Sequence, residues 1–321
     1  MQKTAKAMNS LLHNDIEMLI ADQLKNWETA RVNYANLSKV LTRELKFGDN
    51  ISIKIQYNPE RMRSSTAERD PKTAERKSCF LCRDNRPPQQ MGIEYRNDYI
   101  ILINPYPIFD KHLTLPSLSH SPQLIAGRFT DMLELTMQLS EYSLFYNGPK
   151  CGASAPDHFH FQAGNKGFMP IEDEFQKAEK ELLSSLQGCN TYALNHGFRK
   201  VLVLCGSDSL KLNMLFNHIM KIFSSYLPAD PEPMINIISL WQDEEWSIFV
   251  FPRQKHRPDQ YFLSAKEQIL LSPASVDFGG MLITPRQEDY EKLNKETIKD
   301  IFEQLSLEDK IWEAIKNELR D

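Results

Sequence analysis

The chain has 321 residues, 41% of them hydrophobic, with a net charge of −5 at pH 7 and a pI near 6.0. That length can bury one large core or two small ones, and the acidic balance argues against sequence-independent nucleic-acid binding, which needs a basic surface to neutralise phosphates. No apolar run approaches the roughly 18 residues of a membrane span, and Met1 to Ser10 lacks the apolar stretch of a secretory signal. The expected location is therefore cytoplasmic, without membrane or nucleic-acid partners, and the five cysteines are expected as thiols or metal ligands rather than bridges.

From Asn9 to Leu45, Leu12, Ile16, Leu19, Trp27, Leu37 and Leu41 recur at near-helical spacing, which predicts one or two amphipathic helices. Ile51, Ile53, Ile55 and Tyr57 alternate with polar residues and predict a half-buried strand. Asn58 to Lys77 is polar, charged and interrupted by two prolines, a long loop in which Arg61 and Arg63 are candidates to reach a phosphate. A strand over Tyr99 to Ile103, a turn through Asn104-Pro105-Tyr106-Pro107 and a strand from His112 to Leu115 should pair. Ser121-Pro122 reads as an N-cap with proline at the first helical position, opening a helix that runs to about Glu141. Strands at Ser143 to Tyr146 and Asp157 to Ala163 follow, before a break at Gly164 to Gly167.

A charged helix is predicted near Glu172 to Leu186, then a strand at Lys200 to Leu204 and a helix at Ser207 to Tyr226. Strands at Met234 to Leu240 and Trp246 to Phe251 come next, with helices from about Gln287. The second half echoes the first in element order only. The expected fold is α+β, an antiparallel sheet with packed helices, divided into a helical segment at 1–48, a half carrying the active site at 49–170 and a second half at 171–321.

The chemistry concentrates in Cys151-Gly-Ala-Ser-Ala-Pro-Asp-His158-Phe-His160-Phe-Gln162. Read as a strand, it sends His158, His160 and Gln162 to one face and Phe159 and Phe161 to the other. Imidazole is a good nucleophile toward phosphorus near neutrality, and a phosphoimidazole is labile enough to pass its group onward. Gln162 can donate an amide N–H to a phosphate oxygen, Gly152 lets backbone approach a ligand, and Ser154 offers a hydroxyl. An arbitrary His-x-His is more often an edge strand with solvated rings; the surrounding residues change that balance.

Asn147 to Gln162 resembles the active-site strand of the galactose-1-phosphate uridylyltransferases, where an asparagine, a Gly/Ser loop and His-Pro-His-Pro-Gln occur in the same order. Phe159 and Phe161 in place of proline are closer to the GDP-galactose phosphorylases and the diadenosine tetraphosphate phosphorylases. Ser78-Cys-Phe-Leu-Cys82 is similar to the uridylyltransferase zinc knuckle. Ile103-Asn-Pro-Tyr-Pro-Ile108 resembles the segment whose asparagine, here Asn104, contacts the nucleotide. His112 looks like the histidine that opens the central strand, His120 falls where a metal-binding histidine stands, and Ser275 to Ile283 resembles a C-terminal segment of the phosphorylases. The resemblance spans about Ile51 to Pro285 and implies a histidine-triad-like fold of two halves, with His160 the residue that becomes nucleotidylated and Gln162 the one that holds the phosphate. Asn104, Asn147, Gly152, Arg61 and Arg63 are then expected at the substrate, with Ser154 beside the catalytic pair. The helices before Asn50 lie outside the resemblance; such relatives are often homodimers, and these helices are the segment available for that interface.

A Cys-x-x-Cys turn supplies two thiolates to a tetrahedral zinc, which needs two further ligands; His120 and His158 would complete a structural Cys2His2 site with Cys79 and Cys82. A reduced, metal-free cysteine pair is the other reading, and no organic cofactor is expected. Arg253-Gln-Lys255-His256-Arg257 ends a strong apolar strand. It reads either as a phosphate clamp, with Arg253 and Lys255 the chosen candidates, or as a solvated turn.

The expected activity is transfer of a nucleotidyl group from a nucleoside diphosphate sugar or dinucleoside polyphosphate, through a covalent adduct on His160, to phosphate or a sugar 1-phosphate. A hydrolase of the same fold and a non-catalytic nucleotide sensor are the alternatives. Glutamine at 162, where the hydrolytic relatives tend to carry a third histidine, favours transfer.

Overall fold

The computed structural model describes residues 2–61, 79–264 and 266–320, with side chains from Leu11 onward except those of Asn195 and His196. Helices α1 (Gln2–Asn26) and α2 (Glu28–Asn36) open the chain. Helix then gives way sooner than the apolar spacing predicts, because Leu41 and Leu45 belong to strand β1 (Leu41–Phe47), paired over its whole length with β2 (Ile51–Tyr57). Every residue of β1 is exposed or half-buried, so it has no buried face to give the strand a clear period of two.

Nine further strands follow β3 (Gly92–Tyr95): β4 (Tyr99–Ile103), β5 (His112–Pro116), β6 (Tyr142–Asn147), β7 (His160–Asn165), β8 (Lys180–Leu186), β9 (Cys189–His196), β10 (Arg199–Gly206), β11 (Ile235–Gln242) and β12 (Glu245–Pro252), with β13 (Met281–Thr284) near the end. Strands β3 to β12 form one antiparallel sheet in the order β3-β4-β5-β7-β6-β11-β12-β10-β9-β8. The element order foreseen for two halves is here a shared topology: three strands in a meander, a helical crossover, then two strands, with the crossover strand lying at the seam. The seam is the β6–β11 pairing, which sets Asn147 opposite Asn236.

Both faces of this sheet are covered, which is why β4 and β5 are buried at every position and β4 reads as a continuous apolar run. One face packs against α1 and the helices Phe129–Gln138, Ser209–Tyr226 and Asp309–Arg320. The apolar stripe of α1, Ile16, Leu19 and Ile20, is used in this core. The other face lies under the short sheet β1-β2-β13 and the helices Pro170–Lys177 and Lys295–Leu305.

Two predicted helices are shorter than expected. The segment after Ser121-Pro122 does not become helical until Phe129; it makes two tight turns instead, with Gly127 at φ +74°. The charged helix near Glu172 ends at Lys177, and Lys180–Leu186 continues as a strand turned onto β9 through Gln187 and Gly188, at φ 46° and 90°. Two successive residues of positive φ form the hairpin turn that matches strand twist, and the dipeptide Gln-Gly was its local signal.

Candidate active site

Strand β7 begins at His160, three residues later than the predicted start at Asp157, so His158 belongs to the turn before it and only His160 and Gln162 share a strand face. Phe161 and Ala163 point into the helical core, while Gln162 reaches the opposite side. The His160 imidazole Nδ1 stands 2.9 Å from the His158 carbonyl oxygen. A carbonyl only accepts, so Nδ1 carries the proton and Nε2 keeps its lone pair. Burial holds the ring's pKa down at about 4, leaving it neutral at pH 7. The residue is 2% exposed.

A second imidazole orients Gln162. The Ile108 N–H donates to His112 Nδ1 at 3.3 Å, so His112 Nε2 bears the proton and donates to Gln162 Oε1 at 3.0 Å. Burial, with Arg61 nearby, depresses the His112 pKa to about 3 and keeps this ring neutral too. With its carbonyl oxygen engaged, the Gln162 amide can present its NH2 to a ligand. The N-terminal helices support the same loop from behind: the Tyr34 hydroxyl donates to the His112 carbonyl at 3.1 Å and the Asn33 amide to the Pro105 carbonyl at 2.7 Å. Asn104 donates to Thr114 Oγ1 and accepts the Tyr106 N–H, which makes it a brace of the turn rather than a wall of the cavity.

That cavity, of about 390 Å³, is lined by Arg61, Asn147, Gly152, Ser154 and Gln162 among others; His160 is not one of its lining residues but shares the strand with Gln162. Gly152 sits at φ +91°, and a Cβ there would come within 2.7 Å of the Ala274 Cβ, so only glycine lets this loop close onto the segment 272–277. Ser154 is exposed on the same loop. Asn147 lines the space, yet its Oδ1 accepts from Asn236, the Ser275 amide and the Ser275 hydroxyl, fixing it in the seam.

The basic segment after β12 divides differently from the expectation. Arg253 is 1% exposed and donates to Asn236, the Pro273 carbonyl and the Lys255 and His256 carbonyls; it is a strut behind the wall. Lys255 turns away to pair with Asp259. The cavity instead receives His256, Arg257 and Tyr261, with the Arg257 guanidinium 4.3 Å from the Tyr261 ring centre. Arg61 enters from the other side. Burial lowers its pKa to about 10, opposed by Asp277, whose own carboxyl burial raises to about 6. Arg63 lies outside the described residues.

Around the turn before β7, Cys79, Cys82, His120 and His158 offer four ligand atoms within 4.8 Å of one another. Cys79 Sγ is 3.2 Å from His158 Nδ1, and Cys82 Sγ is 3.2 Å from His120 Nδ1. His158 Nε2–H donates to the Ser117 carbonyl at 2.8 Å, which leaves Nδ1 as the free lone pair facing the thiols. Donors of this type at this spacing fit a tetrahedral metal.

Sequence reasoning did not single out Gln123, Tyr261 or Asp277, and within the basic run it chose Arg253 and Lys255 over His256 and Arg257. The basic run was visible, but which of its members face inward depends on where β12 ends. Gln123 carried no signal because it lay in a stretch read as helix.

Residues 19–165 match a family described as DUF4922, a domain of unknown function, and residues 174–321 match the GDPGP1-like C-terminal domain. Among solved structures, yeast Ap4A phosphorylase Apa2 in complex with AMP is similar at a TM-score of 0.57 and 17% identity, over 89% of this chain and 97% of that one. A second structure of that yeast enzyme gives 0.57 and 16% over 87% and 96%. A DUF4931 family protein from Bacillus cereus gives 0.40 and 14% over 54% and 89%. No curated protein sequence matches the chain.

Proposed function

We propose that the chain, whose residues 174–321 match the GDPGP1-like C-terminal domain and whose fold is similar to that of yeast Ap4A phosphorylase, belongs with the histidine-triad-like nucleotide phosphorylases and uridylyltransferases and transfers a nucleotidyl group by double displacement through His160. The observation that carries this reading is the pair of fixed tautomers: His160 keeps its Nε2 lone pair because Nδ1–H is committed to His158, and Gln162 presents its NH2 because His112 occupies its oxygen.

In the first step the Nε2 lone pair attacks the α-phosphorus of a nucleoside diphosphate sugar or dinucleoside polyphosphate. The bond from that phosphorus to the bridging oxygen breaks, and the sugar phosphate, or for a dinucleoside polyphosphate the nucleoside polyphosphate, leaves with the electron pair. In the second step an oxygen of inorganic phosphate or a sugar 1-phosphate attacks the same phosphorus and the N–P bond returns its pair to the ring. The Gln162 NH2 stabilises the non-bridging oxygens, while Arg61, His256 and Arg257 supply cationic or hydrogen-bonding groups for the flanking phosphates. With His160 only 2% exposed, contact with phosphorus requires the loop 148–156 to give way as the nucleotide enters.

Cys79, Cys82, His120 and His158 would hold a zinc ion that ties the turn before β7 to the Cys-x-x-Cys loop, a structural role in which the metal takes no part in the transfer. Metal analysis of fresh protein is expected to give about one zinc per chain, lost in Cys82→Ser; protein purified without near-stoichiometric metal removes this assignment.

Intact-mass measurement after incubation with GDP-sugars and dinucleoside polyphosphates tests the central reading. A nucleotidyl adduct is expected on wild type, absent in His160→Gly and discharged by phosphate or a sugar 1-phosphate. Discharge by water alone at the same rate makes the protein a hydrolase, and equal turnover by His160→Gly rules out the nucleophile.

A further inference from the structure

Gln123 is completely buried and occupies a place that a β-ladder would ordinarily fill. Strands β6 and β7 pair in the register Ser143 with Gly164 and Phe145 with Gln162. One more rung would set Asn147 opposite His160, but that rung is not made backbone to backbone. The Gln123 carboxamide stands there instead. Its Oε1 accepts the His160 N–H at 2.7 Å, and its Nε2 donates to the Asn147 carbonyl at 3.0 Å and to the His160 carbonyl at 3.0 Å. The amide is anchored at its own backbone, where its N–H donates to the Pro156 carbonyl at 3.2 Å and its carbonyl accepts the Tyr146 hydroxyl at 3.1 Å.

We infer that Gln123 is a positioning residue for the transfer reaction: its carboxamide wedges β6 and β7 apart at the reacting end while holding the His160 backbone in the one orientation that keeps the imidazole on the strand face shared with Gln162, which lines the cavity. The inference rests on the proposed role of His160. A regular rung would draw β7 onto β6; with neither that rung nor the Gln123 amide, two buried carbonyls and one N–H would stand unsatisfied. The inserted amide meets all three demands and leaves the strands splayed. It also explains why residues 121–128 are not helical, since a helix starting at Pro122 could not deliver this side chain between two strands. His160 Nδ1 bonds the carbonyl of His158 in its own backbone, so tilting the 158–160 backbone rotates the ring, and small misplacement of a reacting group is costly in rate.

Gln123→Met keeps the length of the side chain and removes both donor and acceptor. Rapid-quench charging of His160 by whichever of Ap4A or a GDP-hexose labels wild type, at saturating donor, is expected to slow by at least about tenfold, with half-saturation changed by less than about threefold. Trp246→Phe, a core change in the second half, controls for lost stability and should stay within about twofold. A smaller loss for Gln123→Met, or one that appears in half-saturation alone, overturns the inference. Should that variant not fold, hydrogen exchange of the wild-type Gln123 side-chain amide decides: strong protection is expected, and exchange like that of a surface glutamine overturns it. Should no donor charge wild type, the functional reading fails separately. The positioning claim is then read from the His160 ring nitrogens by NMR, where Gln123→Met is expected to mix the two tautomers and an unchanged spectrum refutes it.

Discussion

The two halves of the ten-stranded sheet share a topology and differ in what they place on one face. In the first half, β7 turns Gln162 into a cavity that a glycine-containing loop also lines, with His160 on the same strand face. In the second half, β12 turns Phe249 and Phe251 to that side, where they pack on Phe175 and Phe278 at ring separations of 5.3 and 5.4 Å. One topology thus serves two ends, because the second half fills with aromatic packing the space that the first leaves as a cavity. The second half still contributes, since the segment after β12 brings His256, Arg257 and Tyr261 to the cavity. One half supplies the candidate nucleophile, the other a wall.

This division can be broken from either side. The largest effect belongs to the first half: His160→Gly should reduce single-turnover transfer by more than about a thousandfold with the melting temperature little changed. If the aromatic half is purely a buttress, Phe249→Ala should cost about 3–5 kcal/mol in urea unfolding, while the charging rate of the folded fraction stays near wild type; a large loss of rate per folded molecule would show that the halves are not separable in this way.

The seam itself is tested by pH. Glu232, in the segment leading to β11, accepts the Tyr146 hydroxyl at 2.5 Å and the Ile125 N–H at 3.0 Å, joining the second half to the first. Burial raises its pKa from 4.5 to about 7. The folded chain therefore holds this proton more tightly than the unfolded chain, so the contribution is full below pH 4.5 and declines as pH rises through 7. Stability is expected to fall by about 3 kcal/mol over that range from this group, and Glu232→Gln should flatten the urea midpoint against pH. A wild-type profile without that slope would place the ionised carboxylate comfortably in the seam. The smallest effect concerns the wall: Arg257→Gln should raise half-saturation by the nucleotide about tenfold, with saturated charging nearly unchanged. A fall in the saturated rate instead would move Arg257 from binding to the chemistry.

Much of this arrangement was legible in particular stretches. Tyr99 to Ile103 reads as a strand because every side chain in it is apolar, and the structure buries all five. Asp208 caps the helix Ser209–Tyr226 by accepting the Leu210 and Lys211 N–H groups, the kind of local signal a sequence states directly. Strands β1, β3, β8, β9 and β13 were missed; of these, β1, β3 and β8 are sheet edges and expose much of their surface. Their pattern carries little contrast, and pairing rather than propensity makes them strands. Arg253 and Lys255 were misjudged for a related reason: in a run of basic residues, charge says that a phosphate could be bound, while the geometry of the turn says by which member.

The sequence by itself determined part of the site. Two histidines and a glutamine at alternate positions, and a Cys-x-x-Cys turn, owe their proximity to covalent spacing, which no distant part of the chain can alter. Tertiary structure alone decided the protonation pattern and the aim of those groups. The Nε2 lone pair of His160 depends on the local turn at His158, but the backbone that carries it is held by Gln123, 37 residues away in the chain, and Gln162 is oriented by His112, 50 away. Hydrogen bonds between such distant partners arise only once the sheet has formed and burial has made an unsatisfied donor costly.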